Sequence, residues 1–378
     1  MSISKARRWL EKIHQLNSAD KIKIMNVCGG HERTISQAGI RSLLPDNIEL
    51  IPGPGCPVCV CPEEDIYQAI QLALHENITL LTFGDMLRVP VNVARNEIRS
   101  LEQARASGAD IRPVASPMQA VNIARKNSDK KIVFFSAGFE TTTAPVAAMI
   151  AEGLPENLFI LLSGRLTWPA VASLLQSEQP GFDALLAPGH VSTVMGPHDW
   201  QFVIDEYHLP VAIAGFEAES LLAALYSVLR QKLEGRIYLD NCYQEVVQQT
   251  GNITAQHFLK TTMNITDSNW RGMGVIPESG FSLKPGFAKN DARLQFKDYS
   301  DNSRRRFGEM PAGCDCAKVV SGKIYPDQCR LYGTTCQPEL PIGPCMVSDE
   351  GACHIWWKNR RRKNTSLKSS INTLNESF

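Results

Sequence analysis

Residues 21–32 read KIKIMNVCGGHE. The first seven, Lys21–Val27, form an apolar run too short for a helix and dense enough for a strand buried on both faces. Cys28, Gly29, Gly30, His31 and Glu32 follow directly. In open parallel sheets ligands collect at the carboxyl ends of strands, so this junction places a thiol and an imidazole where chemistry is done.

The same unit recurs along the chain. Apolar runs at Ile48–Ile51, Ile78–Phe83, Ile132–Phe135, Leu158–Leu162, Ala184–Ala187 and Val211–Ala214 have strand length. Helical patterns lie between them. After Pro62, Ile66, Ala69, Ile70, Ala73 and Leu74 repeat at helical spacing. Ser116-Pro117 supplies an N-cap followed by a first-turn proline. Strands alternating with helices define an α/β fold with parallel sheets. The length of the span predicts two Rossmann-like domains, over 20–125 and 126–235. A cysteine-rich iron–sulfur domain is expected over 236–357, with helix 1–19 packing there. Residues 358–378 (KNRRRKNTSLKSSINTLNESF) read as a polar, disordered tail.

Composition narrows the function. The 378 residues carry 39 basic and 39 acidic side chains, so no broad nucleic-acid face is expected. No apolar run reaches membrane length, and the basic opening residues are not followed by an apolar stretch of signal-peptide length, so a secretory leader is not expected. A cytoplasmic protein keeps its thiols reduced, which makes 11 cysteines informative. Neither G-x-x-x-x-G-K-[ST] nor a strand-following G-x-G-x-x-G occurs, so nucleotide binding is not indicated.

The unusual residues cluster at strand ends. Cys56-Pro57-Val58-Cys59 follows the second run, and two close thiols before a helix can cycle with a disulfide. A helix start beside Cys28 is expected to favour its thiolate, as a nucleophile or metal ligand. Asp85, Glu140 and His190 stand at three further strand ends. Near the carboxyl end, Cys314, Cys329, Cys336 and Cys353 are spaced by 14, 6 and 16 residues, with Cys316 and Cys345 among them. Four thiolates suit Zn(II) or a [4Fe–4S] cluster, and the wide gaps favour a cluster held by loops. Cys316 competes with Cys314 as first ligand, and Cys345 has no assigned part.

CGGHE (28–32), GPGCPVC (53–59), GFETT (138–142), PGHVS (188–192) and GPCMVSDEGAC (343–353) together resemble the HypD family of hydrogenase maturation proteins. The resemblance covers roughly residues 5–357. It implies a scaffold that works with the small chaperone HypC to build the Fe(CN)2CO group of [NiFe]-hydrogenase. Cyanide would arrive as a thiocyanate on HypE, met transiently. It also implies a [4Fe–4S] cluster on Cys314, Cys329, Cys336 and Cys353. Cys28 becomes the thiol at the iron site and His31 the residue that orients it. Cys56 and Cys59 become a redox dithiol, and Asp85 and Glu140 polar groups of the crevice. The chain alone is expected to be a monomer. Cys61 departs from the family, which usually has threonine there, and His354-Ile355-Trp356-Trp357 replaces an Ala/Tyr-rich stretch. Two rival readings stand beside the scaffold: a stand-alone disulfide reductase fed by a cluster, and a zinc-stabilised binding module.

Overall fold

The computed structural model describes residues 2–16, 20–177, 181–299 and 310–359. All seven expected runs are strands. β1 (Ile22–Asn26) and β2 (Ile48–Pro52) open the chain. β3 (Ile78–Phe83), β4 (Ile111–Val114), β5 (Lys131–Gly138) and β6 (Leu158–Gly164) follow, then β7 (Ala184–Pro188), β8 (Val211–Ala214) and β9 (Leu239–Asn241). β10 (Met263–Trp270) and β11 (Gly274–Leu283) form an antiparallel hairpin.

Two parallel sheets result. One runs β2-β1-β7-β8-β9 and the other β4-β3-β5-β6. The expected seam at 125/126 therefore does not divide the sheets. The first sheet takes strands from residues 22–52 and again from 184–241, and the second is built wholly between them. Local apolar runs report that a strand exists and is buried; they do not report its neighbours. Nor does helix Ser2–Gln15 join the cysteine segment. Ile13, Trp9 and Leu10 pack with Leu221 and Leu225 of helix Ala218–Glu234, on the first sheet. Trp9 and Tyr226 lie with ring centroids 5.4 Å apart. The 236–357 stretch is also divided: β9 edges the first sheet, and β11 meets the second through Leu166 N–H donating to Ser279 O at 2.8 Å.

Strand order explains where the site must be. In the first sheet β1 leads to β2 on one side and β7 to β8 on the other, so the order reverses between β1 and β7. In the second it reverses between β3 and β5. Crevices open at such reversals. Cys28 follows β1 and Gly189-His190 follows β7, while Asp85 follows β3 and Glu140 follows β5.

Side chains alternate across β5. Ile132 and Phe134 join the core on one face, with Ala147 and Ile150 of helix Glu140–Ala151. Val133 and Phe135 point to the other face, into a core that also holds Cys56, Cys345 and Cys353. The cysteine segment is thus part of the second sheet's covering layer. Each large apolar side chain buried this way contributes roughly 1.5–3 kcal/mol. No helix among the described residues is long and apolar enough to cross a membrane. The expected tail lies, from residue 360 onward, outside the described residues.

Candidate thiol and metal site

β1 ends at Asn26, and Cys28 is the extended N-cap of helix Gly29–Gln37 (φ −157°). The backbone N–H groups of Gly30 and His31 face its sulfur. That geometry favours a thiolate, as expected, but burial outweighs it. Desolvation pushes the thiol up to about 12, the nearby Glu350 carboxylate adds to the rise, and the N–H groups and Arg33 offset only part. Cys28 thus rests as a protonated thiol, which corrects the expectation. It keeps a sliver of exposed surface although it is crowded on every side.

Close backbone approach builds the pocket. A Cβ on Gly55 would lie 2.4 Å from the Cys28 nitrogen, and one on Gly29 would lie 2.5 Å from the Glu350 Cβ. Only glycine fits at either position.

His31 is fully buried, and its Nε2 lies 2.9 Å from Ala214 O. A carbonyl accepts, so Nε2 carries the hydrogen and Nδ1 is the bare nitrogen; Nδ1 has no partner among the described residues. Burial holds the ring's pKa down to about 4, against the pull of the Ala214 carbonyl, so the imidazole is neutral. Phe216 sits between His31, at 5.0 Å, and His190, at 3.8 Å in a stacked pair. The ends of β1, β7 and β8 therefore meet through these three rings.

Cys56 and Cys59 bracket the first turn of helix Pro57–Val60 and form a disulfide. The Cys59 N–H donates to Cys56 Sγ at 3.2 Å. A small cleft is lined by Cys28, Cys56 and Cys345, together with Asn26 and Glu350, and has room for about one water molecule. The strand-end thiol, one half of the disulfide and a tail cysteine thus share one space.

Asp85 and Glu140 do not line this cleft. Asp85 is an exposed residue of the turn Gly84–Arg88, whose Met86 and Leu87 are buried; desolvation raises its carboxyl, and the Asp349 charge adds to this. It also acts electrostatically on Glu350, which places it near the cleft's acidic side. Glu140 is fully buried at the start of its helix, where its oxygens accept from Thr167 N–H at 2.6 Å and Thr167 Oγ1 at 2.7 Å. Desolvation raises it to about 7 despite those donors. It ties helix Glu140–Ala151 to helix Thr167–Leu175.

In the tail, the sulfurs of Cys316, Cys345 and Cys353 all lie within 4.8 Å of one another, and all three residues are buried. Cys314 is next to them: a Cβ on Gly343 would meet both the Cys314 sulfur at 2.5 Å and the Cys316 sulfur at 2.7 Å. Cys336 Sγ accepts from Ile342 N–H at 3.4 Å, and Cys329 Sγ faces Gly313 O at 4.0 Å. Of the four expected ligands only Cys353 belongs to the tight triad. Converging buried sulfurs fit a thiophilic metal, so the triad can hold one.

Four contributors escaped the sequence reading. Glu350 lay inside the GPCMVSDEGAC motif but was not singled out. Cys345 had no part assigned, and Asn26 was read as strand interior. Phe216 carries no local signal.

This parallel-sheet chain brings a strand-end thiol and a disulfide together beside a buried thiol cluster that can hold a metal. A family model described as "HypD: Hydrogenase formation hypA family" matches residues 4–360. The chain is 39% identical over 350 residues to the hydrogenase maturation factor HypD of Escherichia coli (strain K12), covering 90% of each. It is 38% identical over 351 residues to HypD of Azotobacter vinelandii, covering 90% of each, and 38% over 341 residues to HypD of Rhodobacter capsulatus, covering 89% of each. The chain belongs to the HypD family of hydrogenase maturation factors.

Proposed function

We propose that this chain is the scaffold on which, together with HypC, the Fe(CN)2CO group of [NiFe]-hydrogenase is assembled. Cyanide comes from a thiocyanate carried by HypE. The single observation that carries the reading is the shared cleft of Cys28, Cys56 and Cys345. Cys28 holds the cargo iron through its sulfur, a soft donor suited to iron. Neutral His31, fixed by Ala214 O, keeps the helix start and Phe216 in place beside it.

The redox step balances on the chain's own dithiol. Cleaving an S–CN bond takes two electrons. Reduced Cys56 and Cys59 supply both and become the disulfide, while their two protons go to the donor sulfur and the departing cyanide. The disulfide form is the oxidised half of that cycle. The tail thiols fit a [4Fe–4S] cluster, with Cys314, Cys329, Cys336 and Cys353 proposed as its ligands; when bound, it would return electrons to the disulfide. Asp85 and Glu140 shape the surroundings and do not touch the cargo.

The Cys56–Cys59 disulfide also suits a stand-alone disulfide reductase, in which Cys28 is dispensable. Mixing the reduced chain with thiocyanate-bearing HypE separates the two. The scaffold loses two thiols per cyanide retained, and Cys28→Ala abolishes retention. Equal cyanide retention by Cys28→Ala would sink the scaffold reading in favour of the reductase.

A further inference from the structure

Asn26 closes β1 at the floor of the Cys28 cleft and is 1% exposed. Its Nδ2 donates to Glu32 Oε2 at 2.9 Å and to Ile51 O at 3.4 Å. Both partners are acceptors, which fixes the amide: turned over, its oxygen would face a carboxylate and a carbonyl. Glu32 is itself immobilised by Arg41 at 2.7 Å and Trp356 at 2.7 Å. Asn26 Oδ1 is therefore held in one direction, and it has no partner among the described residues. A buried acceptor without a partner costs about 1–3 kcal/mol, so such an atom calls for a ligand.

The cleft defines the ligand's chemistry. The side chains lining it include thiols, carboxylates and this carboxamide, and none is Lys, Arg or His. These groups offer lone pairs. Their complement is a hydrogen-bond donor or a cation, not a free anion such as cyanide. The space fits about one water molecule.

We propose that Asn26 is a further ligand-binding residue of the Cys28 cleft, its Oδ1 accepting a hydrogen bond from a water held there, either free or carried on ferrous iron. The iron-borne form rests on the scaffold reading given above. A water on a divalent cation is polarised and donates more strongly than bulk water. Asn26 then selects the cargo in its aquated, cationic form before any ligand exchange, and Cys28 takes the metal.

Anaerobic titration of the full chain with ferrous iron alone tests this, counting the binding that Cys28→Ala lacks. Asn26→Ala is expected to weaken that binding about tenfold with tail metal content and near-ultraviolet dichroism unchanged, and Asn26→Ser to recover part of it. Wild-type affinity in Asn26→Ala overturns the iron-borne form of the proposal. If wild type binds no iron through Cys28, the scaffold reading fails instead. In that case, or if Asn26→Ala does not fold, a high-resolution crystal structure of wild type decides. A water or ligand within about 3.2 Å of Oδ1 upholds the proposal, and a dry, unpartnered Oδ1 overturns it.

Discussion

The indole Nε1–H of Trp356 donates to Glu32 Oε1 at 2.7 Å, although 324 residues separate the two in sequence. Glu32 is the hub of the region. It also accepts from Arg41 and Asn26, and Ser36 Oγ donates to it at 3.3 Å. Arg41 lies over the Trp356 ring at 5.1 Å, and Tyr325 stacks on the same ring at 5.4 Å. The HIWW stretch thus anchors the cysteine segment to the helix that Cys28 caps.

Removing that anchor costs stability. Trp356→Phe keeps the stacking and deletes one hydrogen bond to a buried carboxylate, a loss of roughly 1.5–3 kcal/mol. A fall of several degrees in the thermal midpoint is expected. An unchanged midpoint would mean that the tail is not fastened here.

Glu32 sets a stability dependence at acid pH. Burial alone would raise its carboxyl, but Arg41, Asn26 and Trp356 together hold it below its usual value of 4.5. A depressed carboxylate contributes stability above its unfolded pKa and loses it as pH falls through the folded one. Glu32→Gln should flatten the decline in midpoint below about pH 4.5, measured against wild type. An identical pH profile in the variant would contradict this.

Glu140 acts in the opposite sense. Its carboxyl is raised from 4.5 to about 7, so the folded state holds its proton where the unfolded state has released it. Stability from this group is complete below pH 4.5 and falls as pH rises toward 7, by roughly 3 kcal/mol. Glu140→Gln keeps an oxygen for the Thr167 N–H and removes the titration. Denaturant midpoints across this window should slope less in the variant than in wild type; equal slopes would refute the assignment.

The cleft depends on the missing side chain at Gly55. A Cβ there would press on the Cys28 backbone, so Gly55→Ala must displace the strand-end turn. About 1–3 kcal/mol of destabilisation is expected, together with faster alkylation of Cys28 by iodoacetamide as the pocket loosens. Unaltered stability and reactivity would show that the packing is not tight.

Much of this was legible from residues alone. Buried parallel strands read as unbroken apolar runs, and all seven such runs are strands. β4 (Ile-Arg-Pro-Val) escaped because two of its four residues face solvent, and β9 because it has three residues. Strand order was invisible, since β1 pairs with β7 160 residues further along (Ile24 with Ala184) and no local pattern encodes that. The motifs placed Cys28, Cys56 and Cys59 correctly at strand ends. Spacing could not show that the sulfurs of Cys316, Cys345 and Cys353 lie within 4.8 Å of one another. Convergence of Sγ atoms depends on loop turns such as that at Gly343, where the absence of a Cβ admits two sulfurs. The Cys28 thiolate was misjudged because a helix start is visible in sequence and desolvation is not.

Under the proposed function, Cys28 holds an iron separate from the tail metal. Mössbauer spectroscopy with metal analysis on the anaerobic chain co-expressed with HypC, beside Cys28→Ala, tests it most directly. The account predicts about four cluster irons in both, plus one distinct low-spin iron in wild type alone. An iron spectrum unchanged in Cys28→Ala, or zinc in place of iron, would contradict it.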